Sequence, residues 1–403
     1  MAVIALAVTL LVAALLGVPP SVRAQGGALR GHGTGSHPRM GLSRAVDAKA
    51  TCRPSRVRSR ERRRRQVRRC RLRRARSSTV TPSPLYWGAS IGSQLTGTQA
   101  PWDMNAVSSF EAMARKQLSL VNFFAPFANC ASTPCSFYKF PAGPMESIRR
   151  HGAVPVFSWS SQSIPSDLEE PDFQLSDVVE GDFDPYIREF AEAARKWGHP
   201  FFLRFNWEMN GTWFPWSEGV NGNVAGQYVA AWRHVHDIFS SVGATNASWV
   251  WCPNVDPEHR FQSLASIYPG DEYVDWTGLD GYNWGMNPAK PDRWRSFDQL
   301  YDSTYHEIAD SVAPSKPLLI GEVGSTERGG SKASWITDML GKIPTSYPKI
   351  RGLLWFDTFD SGMDWPIETS ASAAEAFAAG IQDSAYRGSE YADLAASPIP
   401  PPS

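Results

Sequence analysis

Cysteine and histidine are both scarce in this chain, with five and eight among 403 residues, and no cysteine has companions at zinc-ligand spacing. His234 and His236 stand two apart on a helical pattern, so their side chains face different directions. No metal site and no cofactor is expected. A Gly-rich phosphate turn is also missing after the first predicted strand, where Gly88-Ala89-Ser90-Ile91-Gly92-Ser93 does not match the dinucleotide-binding pattern. That argues against a doubly wound nucleotide-binding sheet. Acids are nearly absent from residues 1–80, which hold only Asp47 and Glu61 against 19 of the 40 Lys and Arg. The formal net charge of zero therefore conceals an acidic remainder, with 21 basic and 38 acidic groups in residues 81–403.

Ala2 to Val18 is almost continuously apolar and is followed by Pro19, Pro20 and a small-residue site at Val22-Arg23-Ala24. No Lys or Arg precedes the run, so the α-amine is its only positive flank. Residues 1–24 read as a secretory signal peptide and the protein as secreted, with a retained cell-surface anchor as the alternative. Residues 25–83 read as a disordered Arg-rich linker. Fourteen positions from Arg53 to Arg76 are arginine, with few apolar residues to bury. The sharper alternative is a basic arm, residues 53–76, for a polyanion or cell-wall contact. Nucleic acid is not expected, because the arm has no interleaved aromatics on which bases could stack. Cys130 and Cys135, separated by Ala-Ser-Thr-Pro, could close a short ring, and Cys52 and Cys70 flank the Arg run and could pair. Cys252, in an apolar strand, reads as a packing residue.

From residue 84 to 383 short apolar strands alternate with amphipathic helices about eight times. The predicted strands are Leu85 to Ser90, Leu120 to Ala125, Val154 to Trp159, Phe201 to Asn206, Ser248 to Cys252, Val274 to Leu279, Leu318 to Glu322 and Gly352 to Phe356. All are apolar on both faces, as in a buried parallel sheet. Tyr186, Phe190, Ala193 and Trp197 mark one helix stripe, and Tyr228, Trp232, Val235 and Phe239 another. The fold class expected is α/β, a single (β/α)8 TIM barrel over 84–383, with its active site at the C-terminal ends of the strands. Residues 384–403 read as a disordered C-terminal tail ending in Ser397-Pro398-Ile399-Pro400-Pro401-Pro402-Ser403.

Two carboxylates stand at predicted strand ends: Glu208 after strand four and Glu322 at the end of strand seven. Acetal cleavage needs one carboxyl that holds a proton and one that is ionised, and environment separates their pKa values. Trp207, Met209, Trp213, Phe214 and Trp216 surround Glu208, an apolar setting that nominates it as the acid. Gly321 and Gly324 flank Glu322 and would let a sugar ring approach it, which nominates Glu322 as the nucleophile. Sixteen Trp exceed what packing requires. Indoles stack on the flat faces of sugars, with Asn and Asp for the hydroxyls. The expected substrate contacts are Arg204, Trp207, Asn210, Trp213, Trp159, Asn254, Tyr282, Trp284 and Trp355.

At Arg204, Glu208-Met209-Asn210-Gly211 with Trp213-Phe214, and Glu322-Val323-Gly324, the chain resembles glycoside hydrolase family 26, over about residues 84 to 383. This clan A barrel family contains β-mannanases and relatives acting on mixed-linkage β-glucan or β-1,3-xylan. The resemblance implies a retaining mechanism, with Glu208 as acid/base and Glu322 as nucleophile. Tyr282 looks like the tyrosine that orients the nucleophile, and Trp355 like the strand-eight aromatic floor beneath the cleaved sugar. The family's mannanases usually place His before the acid/base Glu, where this chain has Trp207, a departure that weighs against mannan. The expected function is that of a secreted retaining hydrolase, endo-acting on β-mannan or mixed-linkage β-glucan and working as a monomer. A non-catalytic carbohydrate-binding barrel is the alternative.

Overall fold

The computed structural model describes residues 82–287, 294–388 and 394–403. The signal segment, the Arg-rich arm with its expected 53–76 contact, and the Cys52–Cys70 pairing lie outside the described residues. Eight parallel strands form the barrel: β1 Leu85–Ile91, β2 Leu120–Asn129, β3 Val154–Ile164, β4 Phe201–Phe205, β5 Ala247–Trp251, β6 Trp276–Asn283, β7 Leu318–Ser325 and β8 Ile350–Asp357. Each pairs with the next and β8 pairs with β1, which closes the sheet. Nearly every strand residue is buried, which is why the strands read as continuous apolar runs instead of alternating ones.

The outer layer contains α1 Met104–Ala114, α2 Ala142–His151, α3 Leu175–Glu180, α4 Asp184–Trp197, α5 Gln227–Ser241, α6 Phe297–Glu307, α7 Lys332–Ser346 and α8 Ala371–Gly380. The β5–β6 crossover departs from the expected rhythm: it carries only a 3₁₀ turn, Leu264–Ser266, where an α-helix was expected. Side-chain caps from Ser296, Ser331 and Ser370 start α6, α7 and α8 by accepting backbone N–H groups that have no helical partner. All four residues of the α5 stripe are buried. On α4 the buried face is Ile187, Phe190, Ala191 and Ala194, so the stripe read from the sequence is displaced toward its flank.

β2 and β3 run several residues past their predicted ends. The extra length of β2 pairs with an antiparallel strand at Ser136–Phe137, and a Cys130–Cys135 disulfide closes the intervening turn. The tail also departs from expectation. Tyr386–Arg387 adds a parallel pairing to the start of β1, and residues 394–403 pack at the opposite end of the barrel from Glu208 and Glu322, with Ile399 buried. Proline richness suggested disorder, but these prolines have barrel residues to rest on.

Candidate active site

A chain of buried polar side chains crosses the upper interior of the barrel. The Asn122 amide on β2 donates to Ser90 Oγ on β1 at 2.7 Å, and Ser158 Oγ on β3 donates to Asn122 at 2.9 Å. Arg204 on β4 donates through Nε to Ser158 at 2.9 Å and through one terminal nitrogen to both oxygens of Asp280 on β6, at 3.0 and 2.8 Å. Its other terminal nitrogen donates to Oε1 of Glu322 on β7, and the Tyr282 hydroxyl donates to Oε2. Both oxygens of Glu322 are therefore committed to fixed donors, which sets the orientation of the carboxylate.

The backbone builds this arrangement. Register shifts between Gly278 and Asp280 on β6, and between Ile320 and Val323 beside β8, mark irregularities where Asp280 and Glu322 turn into the barrel. A Cβ on Gly321 would lie 2.6 Å from both Arg204 and Asp280, and one on Gly324 would lie 3.0 Å from Tyr282. The space beside Glu322 thus belongs to Arg204 and Tyr282, which corrects the expectation that these glycines make room for a sugar. Burial opposes the charge on Arg204, but Asp280 and Glu322 outweigh it and hold the guanidinium protonated.

Glu208 leaves β4 in the left-handed backbone region, at φ 54°, two residues after Asn206 at φ 42°. Such conformations are strained for residues other than glycine and persist only where the surroundings enforce them. Here the Glu208 N–H donates to the Cys252 carbonyl at 2.7 Å, and Asn206 exchanges hydrogen bonds with Ser161 at 2.8 Å. Trp213 donates its indole N–H to Glu208 Oε2 at 2.6 Å. Burial, and after it the Glu322 charge, pushes the Glu208 carboxyl up to about 7, against the hydrogen bonds from Asn254 and Trp213. One oxygen from each of Glu208, Asp280 and Glu322 lies within 4.8 Å of the other two. Arg204 supplies the positive charge inside this acidic cluster.

The other expected contacts divide. Trp213, Tyr282, Asn254 and Trp284 are half-buried around the two glutamates, and Trp284 stands 6.0 Å from the Tyr282 ring. Trp207 lines the wall but is packed by Phe124, Phe214 and Trp216, with Arg204 over its ring, and is only 3% exposed. Asn210 spends its amide on the Asn254 backbone, donating and accepting at 2.8 Å, and so clamps the β4 and β5 loops together. Three expectations are corrected. Arg204 is fully buried and reaches Glu322 instead of open space. Trp159 points outward into the helix layer, stacked on Phe190 at 4.3 Å. Trp355 does the same, against Trp335 and Phe377. Because strand neighbours face opposite sides, it is Phe356, 5.6 Å from the Tyr282 ring, that faces the site. Ser90, Asn122, Ser158 and Asp280 were missed, although a lone polar residue inside an apolar strand was their signal.

The family model for glycosyl hydrolase family 26 matches residues 93–307. Endoglucanase H of Acetivibrio thermocellus is 34% identical over 292 residues, covering 72% of this chain and 30% of that protein. Mannan endo-1,4-beta-mannosidase A and B of Caldalkalibacillus mannanilyticus is 31% identical over 156 residues, 37% of this chain and 26% of that protein. The chain therefore spans about a third or less of the length of these relatives. Among solved structures, a modular endo-beta-1,4-mannanase from Cellulomonas fimi superposes with a TM-score of 0.56 at 19% identity, covering 76% of this chain and 72% of that one. With the closed barrel and the paired glutamates already in place, these likenesses show that the chain belongs to glycosyl hydrolase family 26.

Proposed function

We propose that the barrel hydrolyses a β-glucan chain by double displacement, with Glu322 as nucleophile and Glu208 as acid/base. The observation that carries this reading is the short gap between the two carboxylates, whose oxygens approach within 4.8 Å across the barrel mouth. Retaining hydrolases hold the pair about 5–5.5 Å apart, whereas inverting ones need roughly 6.5–9.5 Å to admit a water. In the first step Glu322 attacks the anomeric carbon while protonated Glu208 gives its proton to the departing oxygen. In the second, Glu208 takes a proton from water, which displaces Glu322 and restores the starting configuration. Tyr282 and Arg204 hold Glu322 in line for the attack. Burial pushes the Tyr282 phenol well up, which keeps it a donor.

Glucan is preferred over mannan for two reasons. Trp207 replaces the histidine that mannanases of the family usually carry, and the relative matched over 72% of this chain is an endoglucanase. The same likeness supports internal cleavage, and the apolar segment from Ala2 to Val18 supports secretion. The test is hydrolysis of barley-type mixed-linkage glucan, galactomannan and β-1,3-xylan, with the anomer of the first product read by proton NMR. Release of β-anomeric oligosaccharides from the glucan is expected. First release of the α-anomer would overturn double displacement, and a mannan preference would overturn the substrate.

A further inference from the structure

We propose that the N-terminal mouth of the barrel is a binding site for a proline-rich segment, and that the chain fills it itself with residues 397–402. The site is built from the first residues of four strands. Tyr86 is the second residue of β1, Ser248 the second of β5, Trp276 the first of β6 and Arg351 the second of β8. Tyr86, Trp276 and Phe202 form an aromatic layer across the barrel floor, with ring centroids 5.2–6.4 Å apart.

Tyr86 and Trp276 each carry a polar group at the edge of that layer, and each is 1% exposed. Such groups need acceptors once buried. The tail supplies them: Tyr86 donates to the Pro400 carbonyl at 2.9 Å and Trp276 to the Ile399 carbonyl at 2.8 Å. Arg351 donates to the Pro402 carbonyl, while its Nε donates to Pro84 O at 2.7 Å. Ser397 Oγ donates to Thr245 O at 2.6 Å.

The chemistry favours proline in particular. Proline has no N–H and a fixed φ, so the carbonyls of a proline-rich segment lack internal donors and are available at small entropic cost. From Pro398 to Pro402 the only backbone N–H belongs to Ile399, and it donates to Ser248 Oγ at 2.8 Å. The site thus offers an acceptor for the one backbone donor between Pro398 and Pro402, and donors from Tyr86, Trp276 and Arg351 for the carbonyls. Aromatic surfaces are a recurrent platform for proline-rich ligands. Ile399 supplies the apolar anchor at 1% exposure. All of these contacts lie at the barrel end opposite Glu208 and Glu322, so the site is separate from the chemistry.

The test uses the full chain carrying Ile399→Asp, which sets a charge against the aromatic layer, with a fluorescein-labelled peptide of residues 396–403 as probe. The expected result is a Tm lower by about 5 °C or more and a gain of peptide binding with Kd below about 1 mM. The native chain should not bind the peptide. Saturating peptide should restore most of the lost Tm, and adding Trp276→Phe should weaken the peptide by about tenfold. A Tm within about 1 °C of native would overturn the proposal, as would peptide binding equally well to both chains or to neither. Should the aspartate chain not fold, Ile399→Ala reads the same way: a Tm loss that the peptide reverses supports the site, and an unchanged Tm overturns it.

Discussion

Trp213 donates its indole N–H to Glu208, five residues back along the same loop, at 2.6 Å. The loop folds this way because residue 211 is glycine: a Cβ there would lie 2.4 Å from the Trp213 ring. The hydrogen bond favours the ionised carboxyl, whereas burial and the Glu322 charge favour the protonated one and bring it to about 7. The double displacement proposed for this site requires Glu208 to enter the first step protonated, so kcat/KM should fall as pH rises through about 7. Trp213→Phe removes the donor, and the alkaline limb should then move to higher pH. An unmoved limb would show that the indole does not tune the acid.

The effect of replacing the proposed acid should depend on the leaving group. Glu208→Ala is expected to lower kcat on polysaccharide by about 10²–10⁴-fold. An aryl glycoside with a strongly acidic phenol needs little protonation on departure, so its first step should be largely spared. Its turnover should then be limited by the second step, seen as a burst of phenol, and azide should speed that step. Equal losses on both substrates, with no burst, would remove Glu208 from the role of acid.

The sequence carried the barrel well because buried parallel strands leave an unmistakable run of apolar residues, and the eight predicted strands each overlap an observed one. It placed Glu208 just beyond β4 for the same reason, while Glu322, expected to end β7, lies three residues inside it. The facing of individual side chains was harder to read. Trp159 and Trp355 sit in strands buried on both faces, where no polar alternation shows which residues point inward, so their orientation was misjudged. The interior network went unnoticed because Ser90, Asn122 and Ser158 become partners only when the sheet closes. The tail was misjudged because composition describes a segment's own capacity to fold, and residues 397–402 gain their order from the barrel floor.

Asp280 touches no open space, yet it completes the cradle of Arg204. Asp280→Asn keeps the shape and removes the charge, leaving Arg204 free to shift relative to Glu322. A hydrogen bond to a charged group contributes about 1.5–3 kcal/mol, so kcat should drop by roughly tenfold to a hundredfold. KM should change little if the role is confined to orienting the nucleophile. A large rise in KM with unchanged kcat would place Asp280 in substrate binding instead.

Lys332, at the start of α7, is wholly buried, and burial pushes its amine down to about 8. Its three N–H groups are shared among four oxygens, the successive carbonyls of Asp364 at 2.5 Å, Trp365 at 2.8 Å and Pro366 at 2.6 Å, and Thr369 Oγ1 at 3.1 Å. These bonds curl the loop after β8 so that the Trp365 ring packs 4.9 Å from both Tyr282 and Trp284. Lys332 therefore supports, at second hand, the tyrosine that holds Glu322. Lys332→Met matches the stem but leaves those carbonyls without their donor, which should cost about 1–3 kcal/mol of stability for each group left unsatisfied. Activity measured well below the new Tm should fall mainly in kcat, because Tyr282 loses its backing while the half-buried Trp213 on the other wall is untouched. Lys332→Arg, which restores donors, should recover part of the loss. A variant with native kcat and a lowered Tm would confine Lys332 to stability alone.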